Sequence, residues 1–223
     1  MTNPIHSIFD FLRDIAVHNN REWFEANRPR YEEANALFAH EVEQLIKLIA
    51  RFEPDLAGLP VKSCLYRFHR DTRFSPDKSP YKRHLGAYMN ARGKKSLHGG
   101  YYFHLEPGHC MIAGGSYCLP PPVLRAVRMS IVAHPEAFRN IVEEPRFRQL
   151  FPEIGEDRVK TLPKGFDRSF PYPQYLRPKD YSVCHKVDDR FFDLPDWREQ
   201  AAEMFLTMKP FLDWVNETVD DYI

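Results

Sequence analysis

Long apolar runs are missing from this sequence. None approaches the roughly 18–20 residues that a helix needs to cross a bilayer, so no membrane association is expected. Net charge is missing too, because 31 Lys+Arg balance 31 Asp+Glu. That excludes the globally basic profile of many nucleic-acid binders, although a local basic patch stays open. Cysteine is sparse. Its four positions, Cys64, Cys110, Cys118 and Cys184, form no CxxC pair and no zinc-ribbon spacing. They read as small buried hydrophobes in a reducing compartment, with a Cys110–Cys118 clip as the alternative. The glycine motifs of phosphate binding and acyl transfer are also absent, with no GxSxG, no GxxxxGK(S/T) and no GxGxxG. Met1–Asp14 lacks a basic region followed by an apolar stretch, so no secretory signal is expected and the protein is placed in the cytoplasm.

What is present suits a packed core. The 223 residues are 43% hydrophobic and 14% aromatic, enough for one sizeable interior, and no linker or repeat interrupts them. A single domain over residues 1–223 is expected. Ser7 followed by Asp10 resembles a capping box, and Ile8, Phe11, Leu12 and Ile15 then recur at helical spacing. Asn20 can cap a short helix, and Pro29 fits the first turn of a longer one carrying Ala34, Leu37, Phe38, Val42, Leu45, Ile46 and Ile49 on one stripe. The middle changes period. Val61–Arg70, Leu85–Ala91, Tyr101–Glu106 and Cys110–Gly114 read as strands, with Pro107–Gly108 as a hairpin turn and Tyr181–Val187 as a further strand. Helices return after Pro120–Pro122, with Arg125 and Arg128 expected away from the Leu124, Val127 and Ile131 face. A final helix is expected from Asp193, kinked at Pro210. The fold class is therefore α+β, an antiparallel sheet of about four to five strands packed by N-terminal and C-terminal helices.

One stretch concentrates chemistry. Arg67–Arg83 holds six cations (Arg67, Arg70, Arg73, Lys78, Lys82, Arg83) against two anions (Asp71, Asp77) in an otherwise neutral chain. Phe68, Phe74 and Tyr81 are interleaved, and Ser75–Pro76 and Ser79–Pro80 turn the chain so that the cations could converge. Arginine's planar fork and lysine's point charge both suit phosphate or carboxylate. The candidate ligand-binding residues are Arg67, Arg70, Asp71, Arg73, Lys78, Tyr81 and Lys82. A loop held shut by its own ion pairs is the competing reading. His69 and Asp71 share a strand face and form a candidate proton-relay pair.

Three blocks carry a resemblance: Asn-Asn-Arg-Glu-Trp-Phe at Asn19–Phe24, Arg-Asp-Thr-Arg-Phe-Ser-Pro-Asp-Lys-Ser-Pro-Tyr-Lys at Arg70–Lys82, and Pro-Lys-Gly-Phe-Asp at Pro163–Asp167. In this order they resemble the signature blocks of the family called domain of unknown function 2461, DUF2461, over nearly the whole chain. The resemblance implies a single-domain cytosolic protein and brings no activity with it.

Among the ten histidines, His98, His104 and His109 lie near the expected hairpin, and His104 and Glu106 share a strand face. With no third ligand identified and no HxH or HExxH, neither a metal nor another cofactor is expected. Three readings follow. The leading one is a small-molecule site, enzymatic or merely binding, for a phosphate- or carboxylate-bearing ligand. Its alternatives are a nucleic-acid module that adds Arg92, Lys94 and Lys95, and a non-catalytic structural or partner-binding protein. Catalytic residues and oligomeric state are left unassigned.

Overall fold

The computed structural model of the protein describes residues 3–223. The chain runs α1 (Pro4–Val17), α2 (Arg21–Ala26), α3 (Arg28–Ile49), α4 (Val61–Cys64), β1 (Leu85–Met89), β2 (Gly100–Leu105), β3 (Cys110–Ser116), α5 (Pro121–Ala133), α6 (Pro135–Val142), α7 (Pro145–Leu150), β4 (Tyr181–Val187) and α8 (Trp197–Tyr222). The strands form one antiparallel sheet in the order β1-β2-β3-β4, flanked by helices, which makes the fold α+β as the sequence pattern indicates. No described helix is long and apolar enough to cross a membrane.

The described residues form two compact units: residues 3–94, 102–112 and 186–202, and residues 95–101, 113–185 and 203–223. In the first unit, α1 starts earlier than the Ser7 signal suggests. Asn3 accepts a hydrogen bond from the Ile5 amide at 3.0 Å and Pro4 opens the helix, a stronger start than a mid-helix serine. Asn20 caps α2 by accepting from the Trp23 amide at 2.9 Å, as its position suggests. The apolar stripe of α3 is buried except for the half-buried Leu37, and it includes Glu41, which the pattern did not mark. Arg198 answers Glu41 with two hydrogen bonds, at 2.6 and 2.8 Å. Phe103 of β2 packs between Phe38, Phe192 and Trp197 at the centre of this unit.

The expected strand Val61–Arg70 is not one. Val61–Cys64 is a helical turn started by Pro60, and beyond it only isolated antiparallel bridges form, Leu65 with Ala87 and His69 with Tyr81. The Arg70 amide donates to the Pro80 carbonyl at 2.9 Å and the Lys82 amide to the Phe68 carbonyl at 2.9 Å. Pro80 has no N–H to return, so the ladder stops there. The Pro107–Gly108 hairpin does form, closed by the His109 amide donating to the Glu106 carbonyl at 2.7 Å, with Gly108 at φ +78°.

In the second unit, Phe138 of α6 packs edge-on to Tyr175 and Trp214. Arg128, expected to face away from the core, is buried. Its guanidinium donates to the Pro178 carbonyl at 2.7 Å, a hydrogen bond that no apolar residue could supply. The last helix starts at Trp197, because Asp189–Asp193 forms a separate 3-10 turn capped by Asp188. Pro210 sits inside α8, which continues through it. All four cysteines are free, so the Cys110–Cys118 clip is absent. Cys118 and Cys184 are exposed rather than buried.

Candidate functional site

The Arg67–Arg83 stretch is held at its base by aromatic packing. Phe68 and Tyr81 turn inward, and Tyr81 stacks on Phe24 with ring centroids 4.0 Å apart. Asn19 clamps the Tyr81 backbone from both sides, donating to its carbonyl at 2.9 Å and accepting from its amide at 3.0 Å. Tyr81 is therefore a buried anchor rather than a ligand contact.

Beyond that base the loop is stitched to itself. Arg70 donates to Asp77 at 2.5 Å, to the Ser79 carbonyl at 3.1 Å and to Ser75 Oγ at 3.2 Å. Asp77 also accepts from the Ser79 hydroxyl and amide, and these bonds, with Arg70, hold its carboxyl well below the usual carboxylate range. Arg73 grips Asp71 through Nε and Nη2 at 3.0 and 2.7 Å. Lys78 donates to the Thr72 carbonyl at 2.9 Å. Arg70, Asp71 and Arg73 thus spend their charge within the loop, while Lys78 is tied back to it by a neutral carbonyl. Asp71 is taken by Arg73, while the His69 ring lies edge-on to Tyr81 with centroids 5.0 Å apart, so the His69–Asp71 relay does not form.

Lys82 and Arg67 behave differently. Lys82 is half-buried, and among the described residues no carboxylate lies within ion-pair distance of it. Burial first, then the like charges of Arg67 and Lys94, push its pKa below the ordinary 10.5. The ammonium groups of Lys82 and Lys94 each lie 5.3 Å from the centroid of the Tyr66 ring, and Lys94 also donates to the Leu65 carbonyl. Tyr66 is 41% exposed, so this ring is open to solvent. Arg67 is exposed and its guanidinium makes no ion pair among the described residues.

The same face continues into a histidine pair. Tyr66 meets Tyr102 edge-on, with centroids 6.2 Å apart. Tyr102 Oη lies 2.8 Å from His104 Nδ1, and His104 Nε2 lies 3.2 Å from Glu106. His84, just before β1, brings its ring to 4.3 Å from that of His104. Burial lowers both imidazoles to about 4; His104 adds to the effect at His84, and the Lys82 charge contributes at both. Both rings are therefore neutral at physiological pH.

The sequence stretch thus leaves Arg67 and Lys82 without ion-pair partners among the described residues, while Arg70 and Arg73 are paired with Asp77 and Asp71, Lys78 is bonded to the Thr72 carbonyl and Tyr81 is buried. Lys94, Tyr66, Tyr102 and His84 were not marked for this site. His84 was detectable, since in extended chain it shares a face with Lys82 two residues earlier.

Elsewhere, a cleft of about 150 Å³ in the second unit is lined by Glu143, Arg148, Phe151, Arg158 and Tyr175, among others. Its charges are already paired, Arg148 with Glu143 at 2.8 Å and Arg158 with Glu153. The Pro163–Asp167 block lies in that unit too, where Arg125 donates to the Lys164 carbonyl at 3.3 Å and covers the Phe166 ring. A family model described as conserved hypothetical protein (DUF2461) matches residues 7–214. No curated protein and no solved structure matches the chain.

Proposed function

The chain belongs to the DUF2461 family, and we propose that it binds a phosphate- or carboxylate-bearing small molecule at Lys82, Lys94 and Arg67 over the Tyr66 ring. One observation carries this reading: the Lys82 and Lys94 ammonium groups each stand 5.3 Å from the centroid of the Tyr66 ring, and Lys82, half-buried and also within the influence of Arg67, has no carboxylate partner among the described residues. Gathering like charges and desolvating one of them is unfavourable by itself. An anion that bridges them removes the mutual repulsion and gains charge-assisted hydrogen bonds. Tyr66 offers the ligand a flat apolar wall, and the His84–His104 pair reached through Tyr102 is neutral and adds no charge. The loop around Arg70 and Arg73 is scaffolding in this reading, which sets the backbone from which Lys82 emerges.

The test is calorimetric titration with inorganic phosphate and with a simple phosphomonoester. A hydrogen bond to a charged group is worth about 1.5–3 kcal/mol, so Lys82→Met should weaken binding roughly tenfold to a hundredfold. Arg73→Gln, which loosens the loop without touching the ring, should leave affinity within about twofold. Equal losses in the two variants, or no binding by the unaltered protein, would remove the proposal.

A further inference from the structure

We infer that His84, His104 and Glu106 form a binding site for a divalent transition-metal ion. The ligating atoms of the three side chains all lie within 4.8 Å of one another. His104 Nε2 and Glu106 Oε2 are 3.2 Å apart, and His84 Nδ1 lies 4.0 Å from the same carboxylate oxygen. Around an ion with bonds of about 2.0–2.2 Å, donor atoms stand roughly 3–3.5 Å from each other. The His104–Glu106 spacing already meets this, and a side-chain adjustment of roughly 1–1.5 Å brings His84 in.

The surroundings are arranged as metal sites require. Tyr102 Oη holds Nδ1 of His104 at 2.8 Å, which leaves Nε2 turned toward Glu106. A partner on the far nitrogen holds the ring orientation of a ligand histidine, and a hydroxyl can do so in either tautomer because it both donates and accepts. That tyrosine has room only because residue 86 on the neighbouring strand is glycine. A Cβ there would stand 2.7 Å from Tyr102 Oη and 3.2 Å from its ring. Tyr102 and His104 share one face of β2 and Glu106 follows directly after its last residue, so one short stretch supplies two ligands and the group that orients one of them.

Two imidazoles and one carboxylate suit ions of the zinc, iron(II), cobalt(II) or nickel class rather than calcium or magnesium. Three protein ligands leave coordination positions open. Lys82 stands two residues before His84 in the chain, so the open position adjoins the proposed anion site and suits an anionic ligand, a point that rests on that reading. A small anion could then bridge the ion and the lysine.

The experiment is titration of the metal-stripped full-length protein with cobalt(II) alone, followed by its visible absorption and by equilibrium dialysis. The unaltered protein should take up one cobalt per chain with a ligand-field spectrum. Losing one of three ligands should cost at least the tenfold to hundredfold that loss of an orienting partner costs. His84→Ala and Glu106→Gln should both show it, while His109→Ala, an exposed histidine nearby, should bind as the parent does. Glu106→Gln preserves side-chain shape, so it reads out even if the alanine variant folds poorly. No uptake by the parent, or equal uptake by all variants, overturns the site. Phosphate binding that depends on Lys82 in a protein that takes up no cobalt would overturn the metal site and leave the anion reading standing. Cobalt uptake that depends on Glu106, in a protein that binds no phosphate, would support the metal site alone.

Discussion

Replacing Arg198 by alanine should unfold the first unit more readily than any loss of packing would suggest. Glu41 is fully buried on α3, and its two carboxylate oxygens are met by Arg198 Nε at 2.6 Å and Nη2 at 2.8 Å. The pair is asymmetric, because the Arg198 side chain is 29% exposed and the Glu41 side chain 0%. Removing the exposed partner therefore strands a charge in the interior. Breaking a buried pair in this way costs about 3–5 kcal/mol, and the partial exposure of Arg198 places this case near about 3. An unfolding entropy of about 2.1 cal/mol/K per residue gives about 0.5 kcal/mol/K for a chain of this length. The expected fall in melting temperature is then about 6 °C, measurable by calorimetry alongside urea unfolding. The double replacement Glu41→Leu with Arg198→Met should recover most of the loss, because neither charge remains to be desolvated. A single variant that loses less than about 1 kcal/mol, or a double variant no better than the single, would refute this reasoning.

Other consequences follow from the same structure. Asn19→Ala removes both hydrogen bonds to the Tyr81 backbone and should destabilise the protein by about 1–3 kcal/mol in urea, with faster proteolysis of the loop beyond it. Gly86→Ala should displace Tyr102 from His104, seen as a shift in the His104 ring signals by NMR, while the far-ultraviolet circular dichroism stays unchanged. The Asp77 carboxyl, held down by Ser79 and Arg70, should stay ionised well below pH 3.8. Its contribution to loop order is present above that value and lost only as pH falls through the depressed one, which a carboxyl-carbon NMR titration can follow. A thiol reagent should label Cys118 and Cys184 in the native protein and reach Cys64 and Cys110 only after unfolding. Cys110 is both buried and pushed up to about 12 by burial.

Much of the fold is visible in apolar spacing. The α3 stripe, the strands from Leu85 to Ser116 and the Pro107–Gly108 turn all follow from residue type and period. What spacing could not reveal depends on partners distant in sequence. Glu41 lies on a buried face only because Arg198 reaches it, and Arg128 turns inward only because the Pro178 carbonyl needs a donor. Val61–Cys64 carries a β-branched start but curls, since Pro60 fixes the turn before a strand partner is available. The cationic stretch was legible as a special segment. Its division into a self-paired loop and an open pair was not, because Asp71 and Asp77 look equally able to neutralise any of the six cations. His84 escaped notice because it stands one residue past the charged run and acquires its meaning from His104, twenty residues on across the sheet.

Anion binding turns on the state of the Lys82 ammonium, which NMR of selectively labelled lysine can read directly by titration. The result expected is a pKa below the ordinary 10.5 in the free protein, moving upward when phosphate is added, because a bound anion favours the charged form. A Lys82 that titrates at or above 10.5 and ignores phosphate would contradict it.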